Sequence, residues 1–221
     1  ASPSLVMPFV EWSNKAIKPI KADLAAAKKL LADAGYKDVD NDKFLEQPDG
    51  KKLKVSLLCP NAGTSMTVAE YIAYGLRGIG INAVHTPMSA DALLNEYKGG
   101  QFDMGISSMG FSEPRDMYFY YFHSSRGELG EGRVSGFNYG GFKDAEFDEL
   151  STAMRSENDE EKQFAQLRRL QEIVAGAYYQ VPIYSAYNIS LYRDDRFKGW
   201  TSVEGLTILN SHTFRNLAPV K

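Results

Sequence analysis

The sequence has very little cysteine and histidine: Cys59 is its single cysteine, and there are three histidines in 221 residues. One cysteine excludes an internal disulfide and a cluster of thiolate metal ligands. The histidines show no H-E-x-x-H or comparable spacing, so the sequence predicts no zinc site. The G-x-S-x-G, P-loop and G-x-G-x-x-G motifs are also missing, so no local signature of an enzyme class is present.

Long apolar runs and an excess of one charge are missing as well. No apolar run approaches the roughly 20 residues that a membrane-spanning helix needs. The 25 Lys and Arg residues are scattered among 28 Asp and Glu residues, for a net charge of -3. A nucleic-acid-binding surface is typically a basic stripe, so we expect no nucleic-acid partner. With 221 residues, 43% of them hydrophobic, the chain is long enough for one large domain or two small ones and for a sizeable buried core.

The first half of the chain alternates helical and strand patterns. Asp23 and Ser89 stand at N-cap positions, directly before residues with helical apolar spacing. Helices are predicted over residues 24–34, after Thr64 or Ser65 and over 90–99, and strands over 53–58, 81–86 and 102–106. The order α-β-α-β-α-β favours an open, mainly parallel sheet with helices on its faces, which makes the predicted fold class α/β.

The second half is less regular. Residues 109–141 contain many glycines and aromatics and are predicted to form a long loop, a kind of segment that is usually functional in a compact domain. Asp144 and Asp159 are predicted N-caps of two further helices, and residues 181–192 have the apolar pattern of a strand. No repeat or linker divides the chain, so we expect a single domain over residues 1–221.

The residues alone leave two other functions open. A hydrolase would need Cys59 beside His85, His123 or His212, but no motif brings them together, and a small buried hydrophobe is the simpler interpretation of Cys59. A stand-alone interaction module would use the aromatic-rich loop over 109–141 as its surface. Tyrosine combines an apolar face with a hydroxyl, so two or three aromatics of this loop are candidates for contact with a ligand or partner.

A calcium loop is a further, weaker candidate. Asp38, Asp40, Asp42 and Asp49 fall at the first, third, fifth and twelfth positions of an EF-hand-like loop, where carboxylate oxygens converge on a hard cation. Lys43 holds the sixth position, where the sharp turn favours glycine, and it adds a positive charge. A solvated turn is therefore the favoured interpretation, and we expect no metal ion and no cofactor.

Several segments in a fixed order carry a family resemblance. They are DLAAAKKLLADAGY at 23–36, PDGK at 48–51, AE at 69–70, LRGIGI at 76–81, FD at 102–103, SEP at 112–114, NY at 138–139, FKDAEFDEL at 142–150, QEI at 171–173 and VPI at 181–183. In this order they resemble the family 5 extracellular solute-binding proteins, the peptide-, oligopeptide- and nickel-binding components of ABC importers. The resemblance covers most of residues 20–200.

The resemblance implies a fold, a function and a set of partners. It implies the C-terminal lobe of a periplasmic-binding-protein-like (type II) protein, with residues 1–20 and about 195–221 near the crossovers to the other lobe. The implied function is binding a peptide or related small solute for an ABC importer, with no reaction catalysed. The implied partners are the solute, the membrane permease and the protein's own N-terminal lobe. The location is periplasmic or extracytoplasmic, and whether a lipid anchors the intact protein stays open.

The candidate binding residues follow from the same comparison and from the expected sheet. In open α/β sheets, ligands lie beyond the carboxyl ends of the strands, here 59–61 and 107–111. The family's cleft loops match the second of these segments and the segment at 138–139. The resulting candidates are Ser108, Met109, Phe111, Asn138 and Tyr139, with Trp12 as a further candidate that could instead pack at the lobe junction.

One departure from the family pattern bears on the solute. Peptide-binding members typically carry a W-x-x-D stretch at the cleft loop, where the aspartate pairs with the peptide's free amino group. Ser107 and Gly110 stand there in this sequence, and Glu113 lies three residues further on. A buried ammonium without a carboxylate is costly to hold. The sequence therefore predicts a solute other than an ordinary free-amine dipeptide, such as a modified peptide or a sugar.

Overall fold

A three-stranded parallel sheet organises the first half of the chain. The computed structural model describes residues 5–6, 10–100, 102–109, 114–130, 133–134, 136–185, 189–203 and 207–220. Its elements alternate as predicted: α1 Leu24–Asp33, β1 Lys54–Pro60, α2 Ser65–Gly78, β2 Asn82–Met88, α3 Ala90–Gly99 and β3 Met104–Gly105. The strand order is β2-β1-β3, with both pairings parallel. The predicted α/β fold class is confirmed.

The central strand β1 is covered on both of its faces. Leu57, Leu58 and Cys59 are buried one after another, which is the burial expected of a central strand in a parallel sheet with helices on both sides. Leu57 and Cys59 pack with Ala69 of α2, whereas Leu58 packs on the other face with residues of α3. The two helices therefore close the two faces of the sheet.

The helix starts predicted at Asp23 and Ser89 are confirmed by their capping bonds. The side chains of Asp23 and Ser89 accept hydrogen bonds from the backbone N–H groups of Ala26 and Ala92, at 2.9 and 3.4 Å. The helix α3 ends at Gly100, whose positive φ of 66° is a conformation that glycine adopts without steric cost.

The second half of the chain is built around three helices. They are α4 Pro114–Phe122, α5 Ala145–Met154 and α6 Glu160–Gly176, of which α5 and α6 begin at the predicted caps Asp144 and Asp159. Short elements complete the described chain: a 3-10 turn Ser124–Arg126, β4 Leu129–Gly130, β5 Arg133–Val134, β6 Phe197–Lys198, α7 Ser211–Asn216 and β7 Ala218–Pro219. No helix among the described residues is long and apolar enough to cross a membrane.

The helices α4, α5 and α6 share one hydrophobic cluster, here called the helical core. Its buried members are Val6, Met117, Tyr118, Phe122, Phe142, Phe147, Met154, Leu167, Leu170 and Val174. Aromatic pairs such as Phe122 and Phe147, with ring centroids 6.0 Å apart in an edge-to-face arrangement, hold the helices together. The N-terminal residue Val6 is 1% exposed, so the chain's first described segment is part of this core.

Two expectations about the second half are wrong. Residues 114–122 form a helix where a long loop was predicted. The prediction failed because aromatic residues occur all around this helix, so its sequence lacks the separate polar face that indicates an amphipathic helix. The predicted strand over 181–192 is absent from its described residues, 181–185 and 189–192. Ile189 and Leu191 are 86% and 93% exposed, and a strand forms only where another strand completes its hydrogen bonds.

Candidate functional site

The carboxyl edge of the sheet brings the ends of all three strands together. The N–H of Asn61, after β1, donates to the carbonyl of Met88 at the end of β2, at 2.8 Å. The N–H of Ile106, after β3, donates to the carbonyl of Leu58 in β1, also at 2.8 Å. The segment 107–109 therefore leaves the sheet directly beside the end of the central strand, which is where open α/β sheets bind ligands.

Two of the candidate residues lie in this segment. Ser107 and Ser108 are exposed at the edge, so their hydroxyls can reach a solute. Met109 is half-buried and packs against the helical core. Phe111, the third candidate of this loop, lies outside the described residues. Ser107 and Ser108 therefore form a short polar rim at the carboxyl edge of the sheet, next to the apolar side chain of Met109.

Trp12 reaches the same core from the N-terminal segment. It is half-buried and packs against the helical core, as Met109 does. Its carbonyl accepts a 2.8 Å hydrogen bond from the Nε2 of Gln171, a residue of α6 that is 1% exposed. The Oε1 of Gln171 accepts from the N–H of Asn14 at 2.8 Å. One buried amide therefore fixes the backbone on both sides of Ser13 and positions Trp12.

Asn138 lies inside the protein rather than at a surface. It is fully buried, and its Nδ2 donates to the carbonyls of Phe142, Phe122 and His123 at 2.8, 3.2 and 3.3 Å. Its Oδ1 accepts from the N–H of Phe142 at 2.8 Å and from the hydroxyl of Tyr179 at 2.9 Å. These bonds satisfy the donors and acceptors of the amide, so Asn138 holds the loop that carries Tyr139.

Tyr139 continues a series of stacked rings that leads back to the sheet. Its ring stacks on that of Tyr97 in α3, with centroids 5.6 Å apart, and meets Phe137 edge-on at 6.2 Å. Phe137 in turn stacks on Tyr121 of α4 at 5.3 Å. The Tyr97 hydroxyl donates to the carbonyl of Ile106 at 2.8 Å, and burial raises the pKa of Tyr97 to about 12, which keeps that hydroxyl protonated.

The described candidates thus divide into four groups. Ser108 is exposed at the edge of the sheet, Met109 and Trp12 pack against the helical core, Tyr139 lies on the α3 side of the sheet, and Asn138 is an internal scaffold residue. Sequence reasoning missed the positioning residues Tyr97, Gln171 and Tyr179. Gln171 belongs to the QEI segment of the family resemblance and lies among apolar residues at helical spacing, a signal for a buried polar anchor.

The acidic turn does not assemble the four carboxylates expected of a calcium loop. The carboxylates of Asp38, Asp40 and Asp42 converge, with ligand atoms within 4.8 Å of one another. Asp49 instead forms an ion pair with Lys51 at 2.7 Å. The ammonium of Lys52 lies between two of the other carboxylates, 2.5 Å from that of Asp40 and 2.6 Å from that of Asp42.

Cys59 lacks the features of a nucleophile. It is fully buried in the sheet, and this burial raises the pKa of its thiol, so the thiolate is disfavoured. Among the described residues, which include all three histidines, no hydrogen bond joins a histidine to Cys59. His123 hydrogen-bonds to Ser125 and Thr152 instead. The structure therefore favours the interpretation of Cys59 as a core residue.

A parallel sheet flanked by helices, with exposed serines at its carboxyl edge, places this chain in the α/β fold class, and solved structures with a similar fold are periplasmic binding proteins. The profile of the bacterial extracellular solute-binding proteins, family 5 (middle part), matches residues 1–130. The chain belongs to this family.

Individual relatives agree with this assignment. The oligopeptide-binding protein AppA of Bacillus subtilis is 29% identical over 153 residues, which are 67% of this chain and 26% of AppA. A periplasmic oligopeptide-binding protein of Thermotoga maritima, solved with bound mannohexaose, superposes with a TM-score of 0.70 at 26% identity, over 79% of this chain and 34% of its own. The peptide-bound DppA of Helicobacter pylori shows the likeness of fold alone: at 20% identity it superposes over 97% of this chain and 38% of its own, with a TM-score of 0.72.

These figures also describe the extent of the match. The chain spans about a quarter of the length of AppA (26%) and about a third of the Thermotoga protein (34%). Both relatives are oligopeptide-binding proteins by their names, and the family is described as extracellular solute-binding proteins.

Proposed function

We propose that this chain is the ligand-binding C-terminal lobe of a longer extracytoplasmic solute-binding protein, which delivers a peptide or related small solute to the permease of an ABC importer. The observation that carries the proposal is the family match together with the exposed rim at the carboxyl edge of the sheet. In this arrangement Ser108, Met109, Phe111 and Tyr139 contact the solute, and Trp12 lines the junction of the two lobes. The chemistry is binding, and no bond is made or broken.

Exposed apolar side chains in the described parts of the segment 181–192 support a second lobe as partner. Val181, Ile189 and Leu191 are 76%, 86% and 93% exposed, which is unusual for three large aliphatic side chains in one short segment. The apolar spacing of the segment is that of a strand, yet its described residues pair with no other strand. The rest of a protein of the relatives' length would supply the surface that covers these side chains and the strand that pairs with them.

The proposed solute lacks the free amine of an ordinary dipeptide. Ser107 is exposed at the position where peptide binders carry the W-x-x-D stretch, and it offers a hydroxyl in place of an indole. Gly110, at the position of the acid, lies outside the described residues. The related Thermotoga protein binds mannohexaose, and AppA binds oligopeptides by its name. Hydroxyl donors and stacked aromatic rings suit a sugar or a modified peptide, since neither needs a buried counter-charge.

Calorimetric titration tests the solute class. The protein that contains this chain at the full length of its relatives would be titrated with a panel of free-amine dipeptides, the same peptides acetylated at the amine, and short oligosaccharides. The proposal predicts binding in the acetylated or oligosaccharide arm and none in the dipeptide arm. Sub-micromolar binding of any free-amine dipeptide would contradict it.

A further inference from the structure

The loop between α1 and β1 folds around a cluster of carboxylates. The Asp38 side chain accepts a 3.0 Å hydrogen bond from the N–H of Lys43, and those of Asp40 and Asp42 accept from backbone N–H groups two residues further on. Lys43 has a positive φ of 78°, which is uncommon for a residue with a side chain. The loop therefore curls with three carboxylates on its inner side, although the electrostatic repulsion between them opposes that shape.

A fourth carboxylate points into the same cluster from the protein interior. The side chain of Glu46 is only 5% exposed, and its Oε2 accepts a 2.8 Å hydrogen bond from the N–H of Val39. Its Oε1 is also buried and has no hydrogen-bond partner among the described residues apart from its ion pair with the ammonium of Lys52. A buried carboxylate in this position needs a cation, because an unpaired buried charge is strongly destabilising.

The cation that the loop contains is Lys52. Its Nζ lies 2.5 Å from Asp40, 2.6 Å from Asp42 and 2.7 Å from Glu46. Ca²⁺ in proteins lies roughly 2.3–2.6 Å from its oxygen ligands, so the ammonium occupies a cradle of similar size. We infer that the Lys52 ammonium is the resident cation of this carboxylate loop, and that the same carboxylates form a site for a hard divalent cation once Lys52 is replaced.

The position of the ammonium explains why only one cation can hold the place. Asp38, Asp40, Asp42 and Glu46 bring four negative charges to the loop, and the Lys52 ammonium neutralises one of them while it occupies the oxygens of Asp40, Asp42 and Glu46 that a divalent ion would need. A divalent ion would have to displace an ammonium that is tethered to the same chain. The ammonium is held in place by the fold, whereas a free ion would lose its translational freedom on binding.

The ammonium also joins the loop to the sheet. Glu46 pairs with both Lys37 and Lys52 through isolated β-bridges, and Lys52 lies two residues before β1. An intact ion-pair cluster therefore fixes the direction in which the chain enters the central strand. With Lys52 as the resident cation, the position of the start of β1 does not depend on calcium in this chain.

Thermal unfolding of the chain with and without calcium tests the inference. The variants are Lys52→Met, the milder Lys52→Gln, and the matched control Lys51→Met, which removes the neighbouring lysine and breaks only its ion pair with Asp49. Each would be melted in EDTA and in millimolar CaCl₂, and binding of Ca²⁺ to the folded protein would be followed by calorimetry.

For the wild type and for Lys51→Met, we expect each protein to have the same midpoint of thermal unfolding in EDTA and in CaCl₂, and to show no calcium binding. Lys52→Met and Lys52→Gln melt at a lower temperature in EDTA, and calcium raises their midpoints toward the wild-type value. A wild-type midpoint that rises with calcium as much as that of the variants would overturn the inference. So would Lys52 variants that calcium does not stabilise, including variants that remain unfolded in both buffers.

Discussion

The hydroxyl of Tyr179 donates a 2.9 Å hydrogen bond to the Oδ1 of Asn138, and the N–H of Gly140 donates to that hydroxyl at 2.8 Å. Tyr179 follows α6, so the end of this helix is bound to the loop that carries Tyr139. The proposed binding surface therefore depends on an internal polar contact between two segments about 40 residues apart in sequence.

Replacing Asn138 by alanine should destabilise the fold strongly. The substitution removes bonds to four residues and leaves buried carbonyls without a donor, so we expect a loss of about 2–4 kcal/mol in the free energy of unfolding. Tyr179→Phe removes a single bonding group and should cost about 1 kcal/mol. Urea unfolding measures both, with Asn61→Ala as the control because Asn61 is exposed. A cost for Asn138→Ala equal to that of the control would show that the buried network contributes nothing.

Gln171→Met should release Trp12 from its position. The variant keeps the volume of the side chain but removes the donor to the Trp12 carbonyl and the acceptor for Asn14. In a Trp200→Phe background, Trp12 is the remaining tryptophan, and its emission should shift to longer wavelength with faster acrylamide quenching. Arg168→Met, an exposed substitution on the same helix, is the control. Identical spectra in the two variants would refute the positioning role of Gln171.

Cys59 should be inert in the native protein. Burial raises the pKa of its thiol, so the reactive thiolate is disfavoured in the folded state and becomes more abundant only as pH rises or the chain unfolds. Reaction with a thiol-specific disulfide reagent at pH 8 should be slow in buffer and rapid in concentrated urea. Fast labelling of the folded chain would revive the interpretation of Cys59 as a nucleophile.

A bulky side chain at Ser108 should block solute binding without unfolding the protein. Because Ser108 is exposed at the carboxyl edge of the sheet, Ser108→Trp fills solvent space rather than the core. In the protein of the relatives' length, we expect affinity for its solute to fall about tenfold or more, while the midpoint of thermal unfolding stays unchanged. The matched control is Ser156→Trp, another exposed serine, beyond the end of α5. Equal affinity in the two variants would remove Ser108 from the proposed site.

The first half of the fold was predictable because its signals are local. Asp23 and Ser89 each cap a helix through their own side chains, and Gly100 closes α3 in a conformation that favours glycine. The run Leu57-Leu58-Cys59 is apolar because both faces of its strand are covered, a relation that can be read from sequence. Where a single residue determines a boundary, the sequence shows it.

The second half was harder to predict because its order comes from distant contacts. In α4, buried Tyr118 and Phe122 are separated by half-exposed aromatics, so the residue types do not separate the two faces. Asn138 lies in a glycine-rich segment and has the polar side chain expected of a ligand-binding loop residue. It is nevertheless buried, with hydrogen bonds to residues up to 41 positions away. No local pattern distinguishes an amide that contacts a solute from one that supports the loop beside it.

The most direct test of the two-lobe proposal compares this 221-residue chain with the protein of the relatives' length, both titrated by calorimetry with the same solute. One lobe supplies only part of the contact surface, so we expect the longer protein to bind and the isolated chain to bind at least about 100-fold more weakly. Equal, tight binding by the isolated chain would contradict the proposal that this chain works as one lobe of a two-lobe solute-binding protein.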